Sequence, residues 1–260
     1  MTTLPVMELT SVSKSFGSIA ALRDVTVSVY AGKVLCLLGD NGAGKSTLIK
    51  IMSGVYSPSS GAVRVDGKQV AFASPRNAQE LGIATVHQDV GLFPLMSVVR
   101  NFFVGREPLT GWGPFKRIDM RRAEQIALSE ARSMGLTRVA NPHQLVGSMS
   151  GGEQQALAIG RALFFGARLL ILDEPTSALG VNEAAVVLRL VQQLRAKGIA
   201  IVFITHNAHH ALTVGDEFIV LIRGSIAAQF NRGEKKREEV LDLMAGGKQL
   251  HSLEMELEDH

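Results

Sequence analysis

Cysteine is almost absent: Cys36 is the only one in 260 residues, and it lies inside the apolar run Val34-Leu35-Cys36-Leu37-Leu38. That excludes a disulfide framework and suits a reducing compartment. Aromatic residues are scarce at 5%, with a single tryptophan, Trp112. No apolar run approaches the roughly 20 residues that cross a bilayer. The start, Met1-Thr2-Thr3-Leu4-Pro5, lacks the charged and apolar regions of a signal peptide. Any work at a membrane is therefore expected to run through a partner, with no direct insertion. Charge of one sign is also lacking. The net charge is +3, and no Lys/Arg block is interleaved with aromatics, so nucleic acid is not expected as a partner. Lys235-Lys236-Arg237 is followed by Glu238-Glu239 and reads as a solvated helix start. No internal repeat is present. What the chain does have is 46% hydrophobic content, enough for one sizeable α/β domain with a subdomain inserted in it.

The most informative run is Gly39-Asp40-Asn41-Gly42-Ala43-Gly44-Lys45-Ser46-Thr47. It follows the apolar stretch ending at Leu38 and opens into Leu48-Ile49-Lys50-Ile51-Met52, so it reads as strand, glycine-rich turn and helix. Gly39 and Gly44 allow the backbone to bend so that successive N–H groups, Asn41 to Thr47 among them, point inward at a phosphate. The new helix adds positive partial charge at its N-terminus. In this G-x-x-x-x-G-K-[ST] pattern Lys45 reaches the β- and γ-phosphates and Ser46 ligates Mg²⁺.

A second element lies far downstream, in Leu169-Leu170-Ile171-Leu172-Asp173-Glu174-Pro175-Thr176. Four apolar residues ending in an acid are predicted to bring Asp173 beside the phosphate loop in a parallel sheet, where it can hold Mg²⁺ through water. Glu174, one residue on, points differently and is placed to orient or deprotonate a water that attacks the γ-phosphate.

Between these two lies Ser148-Met149-Ser150-Gly151-Gly152-Glu153-Gln154-Gln155, just before the helical Ala156-Leu157-Ala158-Ile159-Gly160-Arg161-Ala162-Leu163. Ser150 offers a hydroxyl, Gly151 and Gly152 offer accessible N–H groups, and the helix dipole favours an anion. This run closely resembles the signature loop of ABC ATPases. The resemblance implies a P-loop ATPase fold with an antiparallel edge sheet and an inserted helical subdomain. It also implies that Ser150, Gly151, Gly152 and Glu153 meet the γ-phosphate held by an opposite subunit, so that two chains sandwich two ATP molecules.

Further residues match the same family frame. Gln88, ending Ala84-Thr85-Val86-His87-Gln88, matches the glutamine that joins the metal site to the helical subdomain. His206, ending Ile201-Val202-Phe203-Ile204-Thr205-His206, matches the histidine that senses the γ-phosphate. Phe16 occupies the place of the adenine-stacking aromatic, with a core phenylalanine as the other reading. Three departures stand out. Met149 replaces the usual leucine at little cost in volume. Glu153 replaces glutamine and brings negative charge near the phosphate path. Gly180 stands where most members carry the aspartate that couples the two sites.

Organisation follows the motifs: residues 1–88 and 150–247 are expected to form the nucleotide-binding core, 89–149 the helical subdomain, and 248–260 an acidic tail. Arg121 to Met134 has helical spacing, and Gly233 to Ala245 reads as a final helix. The segment Gly91 to Phe103 is rich in large apolar residues. These either pack the subdomain or line a groove for another protein's helix. Trp112, in Gly111-Trp112-Gly113-Pro114, is expected to anchor its loop.

The resemblance runs from about Met7 to Gly247 and is similar in detail to the single-copy, fructose-type ATPases of monosaccharide importers. It implies Mg-ATP hydrolysis in a homodimer on the cytoplasmic face of the membrane. The homodimer would sit beneath permease subunits and depend indirectly on a solute-binding protein. Three alternatives stay open: a soluble mechanical ATPase of the same fold, a regulatory ATP-binding module with feeble turnover, motivated by Gly180, and an importer ATPase for another small solute.

Overall fold

The computed structural model describes residues 4–245. The chain begins with β1 (Met7–Phe16) and β2 (Ile19–Val29), followed by β3 (Val34–Leu38), α1 (Lys45–Met52), β4 (Ser60–Val65), β5 (Lys68–Val70), α2 (Pro75–Glu80) and β6 (Ile83–Val86). Next come α3 (Val98–Phe103), a small hairpin of β7 (Leu109–Thr110) and β8 (Arg117–Ile118), α4 (Met120–Ser133) and α5 (Gly151–Phe164). The chain then alternates through β9 (Leu169–Asp173), α6 (Val181–Ala196), β10 (Ala200–Ile204), α7 (Ala208–Val214), β11 (Glu217–Ile222) and β12 (Ser225–Asn231), and ends in α8 (Arg237–Met244).

The central sheet has the order β12-β11-β3-β10-β9-β6, parallel throughout except for the β11–β12 edge. A second, antiparallel sheet has the order β2-β1-β4-β5. Side chains alternate across the central sheet. On β3, Val34, Cys36 and Leu38 join one apolar cluster while Leu35 and Leu37 join the other; on β10, Ile201 and Phe203 oppose Val202 and Ile204. The first cluster is shared with Phe102, Ala127, Leu157 and Val187, and the second with Leu9, Leu22 and Ile49. Burial on both faces is why these strands read as unbroken apolar runs.

Helix α4 starts one residue earlier than its spacing predicts, because Asp119 caps it. The Asp119 carboxylate accepts the Arg122 N–H at 3.0 Å, a contact worth about 1 kcal/mol. Its buried stripe is Ala123, Ala127 and Ala131, one residue per turn. Helix α8 begins at Arg237 instead of Gly233. The reason is a preceding turn, closed by Glu234, whose carboxylate accepts both the backbone N–H and the side-chain amide of Asn231 at 2.8 Å. The expected acidic tail at 248–260 lies outside the described residues.

The apolar segment before α3 divides. Val98, Val99, Phe102 and Phe103 are buried, and the last two pack their rings against Phe164 and Phe165. Phe93 and Leu95 instead face solvent, with Leu95 88% exposed. Fully buried Asn101 fixes that loop: its side chain accepts the Phe93 N–H at 2.7 Å and donates to the Phe93, Met96 and Ser97 carbonyls. Trp112 departs from expectation. Its side chain is 85% exposed and does not anchor the loop, which is closed by backbone hydrogen bonds from Phe115 to Trp112 and from Asp119 to Pro108.

Candidate functional site

Register places the site. Leu37 pairs with Ile204, Ile204 with Asp173, and Val86 with Leu172, so β3, β10, β9 and β6 all end in one row. The residues that follow them, Gly39, His206, Glu174 and Gln88, therefore emerge along the carboxyl edge, where ligands of open α/β sheets bind. Strand β10 lies between β3 and β9, so Asp173 reaches the phosphate loop across a strand and not from the adjacent one.

A cavity of about 540 Å³ opens there, lined by Asn41 through Thr47 together with Gln88, Asp173 and Glu174. Its backbone requires glycine at two points. Gly39 has φ 144°, and a Cβ there would lie 2.4 Å from the Leu221 carbonyl oxygen; Gly44 has φ 106°, and its Cβ would lie 2.9 Å from the Ala21 carbonyl oxygen. Lys45 is buried, and its Nζ donates to the carbonyls of Gly39 at 2.6 Å and Asp40 at 3.0 Å, holding the loop closed. Burial pushes the Lys45 ammonium below the usual lysine range, while Glu174, Asp40 and Asp173 pull it back up. Burial likewise pushes the Asp173 carboxyl up, against His87, whose Nδ1 lies 3.7 Å away.

Glu174 is held tightly. Its φ of 50° is in the left-handed region, a strained conformation for a side-chain-bearing residue that costs on the order of 1–3 kcal/mol. Its Oε1 accepts the His206 N–H at 3.0 Å and lies 2.8 Å from His206 Nδ1, and its Oε2 accepts from the Thr205 hydroxyl at 3.3 Å. His206 itself is outside the lining of this cavity and meets it through Glu174.

The signature turn does not line this cavity. Ser150 caps α5: its hydroxyl accepts the Glu153 N–H at 3.3 Å, and Glu153 returns a carboxylate to the Ser150 N–H at 2.9 Å. The Glu153 charge expected near the phosphate path is therefore turned onto the cap. Nor is the Gly151 N–H free, as its sequence suggests. Glu183 accepts it at 3.2 Å through Oε1 and accepts the Gly180 N–H at 3.2 Å through Oε2. A Cβ on Gly152 would lie 2.9 Å from the Glu183 carbonyl oxygen, so glycine here lets α5 and α6 approach closely.

Phe16 lies outside the cavity-lining set. Its ring is exposed, makes a T-shaped contact with Tyr56 at 5.3 Å and has the Lys14 ammonium over it at 5.2 Å, so the core reading fails. Sequence reasoning missed Arg23, Arg223, His87 and Glu183. Arg23 and Arg223 line the cavity from β2 and the β11–β12 turn, and only the φ of 49° at Arg223, a backbone property, marks the latter. Among the described residues no group of three His, Cys, Asp or Glu side chains is disposed to hold a metal. The available donors are hard oxygens, Ser46, Gln88 and Asp173. That set fits Mg²⁺, which takes one or two carboxylates and completes its shell with phosphates and water.

A parallel sheet with a phosphate loop at its carboxyl edge, an acid pair across it and an antiparallel sheet beside it defines a P-loop nucleotide-binding ATPase. Residues 22–177, more than half the chain, match the ABC transporter family. The chain belongs to that family, as one of its ATP-binding cassettes. It is 42% identical to a ribose import ATP-binding protein of Corynebacterium glutamicum over 93% of this chain, but spans only 45% of that protein's length. It is 39% identical to a xylose/arabinose import ATP-binding protein of Sulfolobus acidocaldarius, covering 92% of this chain and 93% of that one. Identity to a fructose import ATP-binding protein of Rhizobium meliloti is 36%, covering 94% of this chain and 95% of that one. Among solved structures, an ATP-binding cassette of an ABC transporter in its ADP conformation superposes with a TM-score of 0.76 at 25% identity, covering 95% of this chain and 97% of that one. Among the described residues no helix is long and apolar enough to cross a membrane.

Proposed function

We propose that this chain is the ATP-hydrolysing subunit of an importer for a monosaccharide, working as a pair of copies beneath membrane-spanning permease subunits fed by a solute-binding protein. One observation carries the reading: the phosphate loop, Gln88, Asp173 and Glu174 share one cavity, whereas the Ser150-Gly151-Gly152 turn of the same chain stays outside it. A second copy would supply that turn. The Glu183 contact to Gly151 would then orient the N-terminus of α5 towards the partner's γ-phosphate.

In this reading the N–H groups from Asn41 to Thr47 and the Lys45 ammonium bind the phosphates, and Phe16 offers its ring to the adenine. Ser46, Gln88 and Asp173 would hold Mg²⁺, which when bound neutralises phosphate charge. Glu174 orients the attacking water and takes its proton, and His206 fixes the Glu174 carboxylate. Residues 1–88 and 150–247 act as the nucleotide-binding core, with 89–149 moving against it through Gln88. The sugar class rests on the relatives' names.

Purification from membranes, identification of the associated chains and an assay of sugar-stimulated hydrolysis test the reading. A chain recovered without a permease, whose turnover ignores sugar and binding protein, would support the soluble mechanical alternative. Phe93→Glu and Leu95→Glu should leave the isolated subunit folded and able to bind ATP, since both side chains are exposed already, while preventing copurification with the permease and abolishing uptake. Normal assembly and transport in both variants would remove this loop from the permease contact. A groove of about 290 Å³ nearby is lined by Asp89, Val90, Gly91, Arg161 and Phe165 and by none of the 93–103 side chains. It lies next to Gln88 in sequence, so it is the part of this face that nucleotide closure would move first.

Gly180 has φ −65°, and a Cβ there would meet only Glu183 Oε2, at 3.9 Å, so glycine is not required by the backbone. Gly180→Asp should therefore fold and should change the Hill coefficient for hydrolysis while leaving ATP affinity unchanged, because position 180 lies outside the nucleotide cavity. Equal Hill coefficients in the two proteins would count against a coupling role for this loop.

A further inference from the structure

The β7–β8 hairpin is unexplained by nucleotide binding. Leu109 pairs with Ile118 across the two strands, which puts both side chains on one face, and both are exposed. At the tip, Trp112 is 85% and Phe115 81% exposed. This display is built into the backbone. The Asp119 N–H donates to the Pro108 carbonyl at 2.8 Å and the Phe115 N–H to the Trp112 carbonyl at 3.1 Å. Gly111, at φ 97°, has no room for a Cβ, which would lie 2.6 Å from the Phe115 carbonyl oxygen. A closed loop that holds four large apolar side chains in water is costly unless something covers them.

Charge identifies the cover. Lys116 and Arg117 lie at the end of the tip and the start of β8, and Arg121 and Arg122 follow on the first turn of α4; all are exposed, and among the described residues none of them takes part in a side-chain ion pair. The nearby acids have other partners: Asp119 accepts the Arg122 N–H, Glu107 the Gly105 N–H, and Glu124 pairs with His143. None of these side chains lines the nucleotide cavity or the groove beside α5. We propose that the β7–β8 hairpin seats on the anionic headgroup surface of a lipid bilayer, with Trp112, Phe115, Leu109 and Ile118 at the interface and the four cations on the headgroups. An exposed apolar hairpin with unpaired cations on its second strand and on the helix that follows is the chemistry that an anionic, amphipathic surface complements. The contact goes beyond the importer reading by adding a direct lipid contact, without insertion across the bilayer, to attachment through a permease.

Trp112 is the sequence's single tryptophan, so its fluorescence reports on this hairpin alone. The purified full chain should sediment with phosphatidylcholine vesicles that contain phosphatidylglycerol and not with vesicles of phosphatidylcholine alone. Its emission should shift to the blue on binding, and added salt should reverse both changes. Lys116→Glu combined with Arg117→Glu should lower partitioning by at least about tenfold, and Phe115→Ser should weaken it, with ATP turnover unchanged in both proteins. The proposal fails if the wild-type emission and sedimentation ignore anionic vesicles, or if the charge-reversed protein binds them as well as wild type. It also fails if vesicles are ignored while Trp112→Ser abolishes copurification with a permease, because the tip is then a protein contact. The vesicle assay needs neither permease nor ATP, so its failure leaves the importer reading standing.

Discussion

Lys45→Ala should abolish ATP turnover and weaken ATP binding by roughly thirtyfold or more, the loss of one charge-assisted hydrogen bond of about 2 kcal/mol. Two effects add. The variant removes the cation that the phosphate loop itself carries, leaving that loop with only neutral N–H donors. It also frees the carbonyls of Gly39 and Asp40, which the ammonium holds at 2.6 and 3.0 Å, so the loop is less prepared for its ligand. Nucleotide binding by calorimetry and phosphate release measure the two losses, with circular dichroism to verify the fold. Unchanged hydrolysis in a folded variant would sink the assignment of this loop as the ATP site.

Glu174→Gln should keep ATP binding and slow hydrolysis by about 10²-fold or more, the scale of general-base assistance. The amide keeps the size of the carboxylate and can still accept the His206 N–H, so the strained backbone at φ 50° has the same side-chain contact to hold it. It cannot take a proton from water. Mg-ATP should then accumulate a closed two-chain complex, visible as a dimer by gel filtration. A variant that stays monomeric under those conditions leaves the two-copy sandwich without support, and one that hydrolyses at the wild-type rate removes Glu174 from the chemistry.

Much of the site was legible because its chemistry is local. The phosphate loop is one contiguous run whose glycines, lysine and hydroxyl act within a few residues of one another. Asp173 and Glu174 were legible as the end of an apolar strand. Glu183 was not, because its partner Gly151 is 32 residues away and helix α6 carries no pattern that marks it. Arg23 lies on β2 and Arg223 in the β11–β12 turn, and the two meet only when β11 pairs with β3 and the turn packs on β2, where the Arg23 N–H donates to the Gly224 carbonyl. Trp112 was misread for a related reason: a tryptophan in a glycine-rich loop anchors it only if something packs on the ring, and sequence spacing does not say whether anything does.

By itself, then, the sequence determined the segments whose form depends on neighbours in the chain. These are the phosphate loop between β3 and α1, the capped start of α5 at Ser150, the alanine stripe of α4 and the doubly buried strands. Tertiary structure alone decided how those segments meet. It put β10 between β3 and β9, occupied the Gly151 N–H with Glu183, and split residues 92–103 into a buried helix and an exposed loop pinned by Asn101. The physical reason is range. Backbone bending, capping and side-chain periodicity are settled within a few residues, whereas exposure and long-range hydrogen bonds depend on which distant surface arrives, and that is fixed only when the whole core packs.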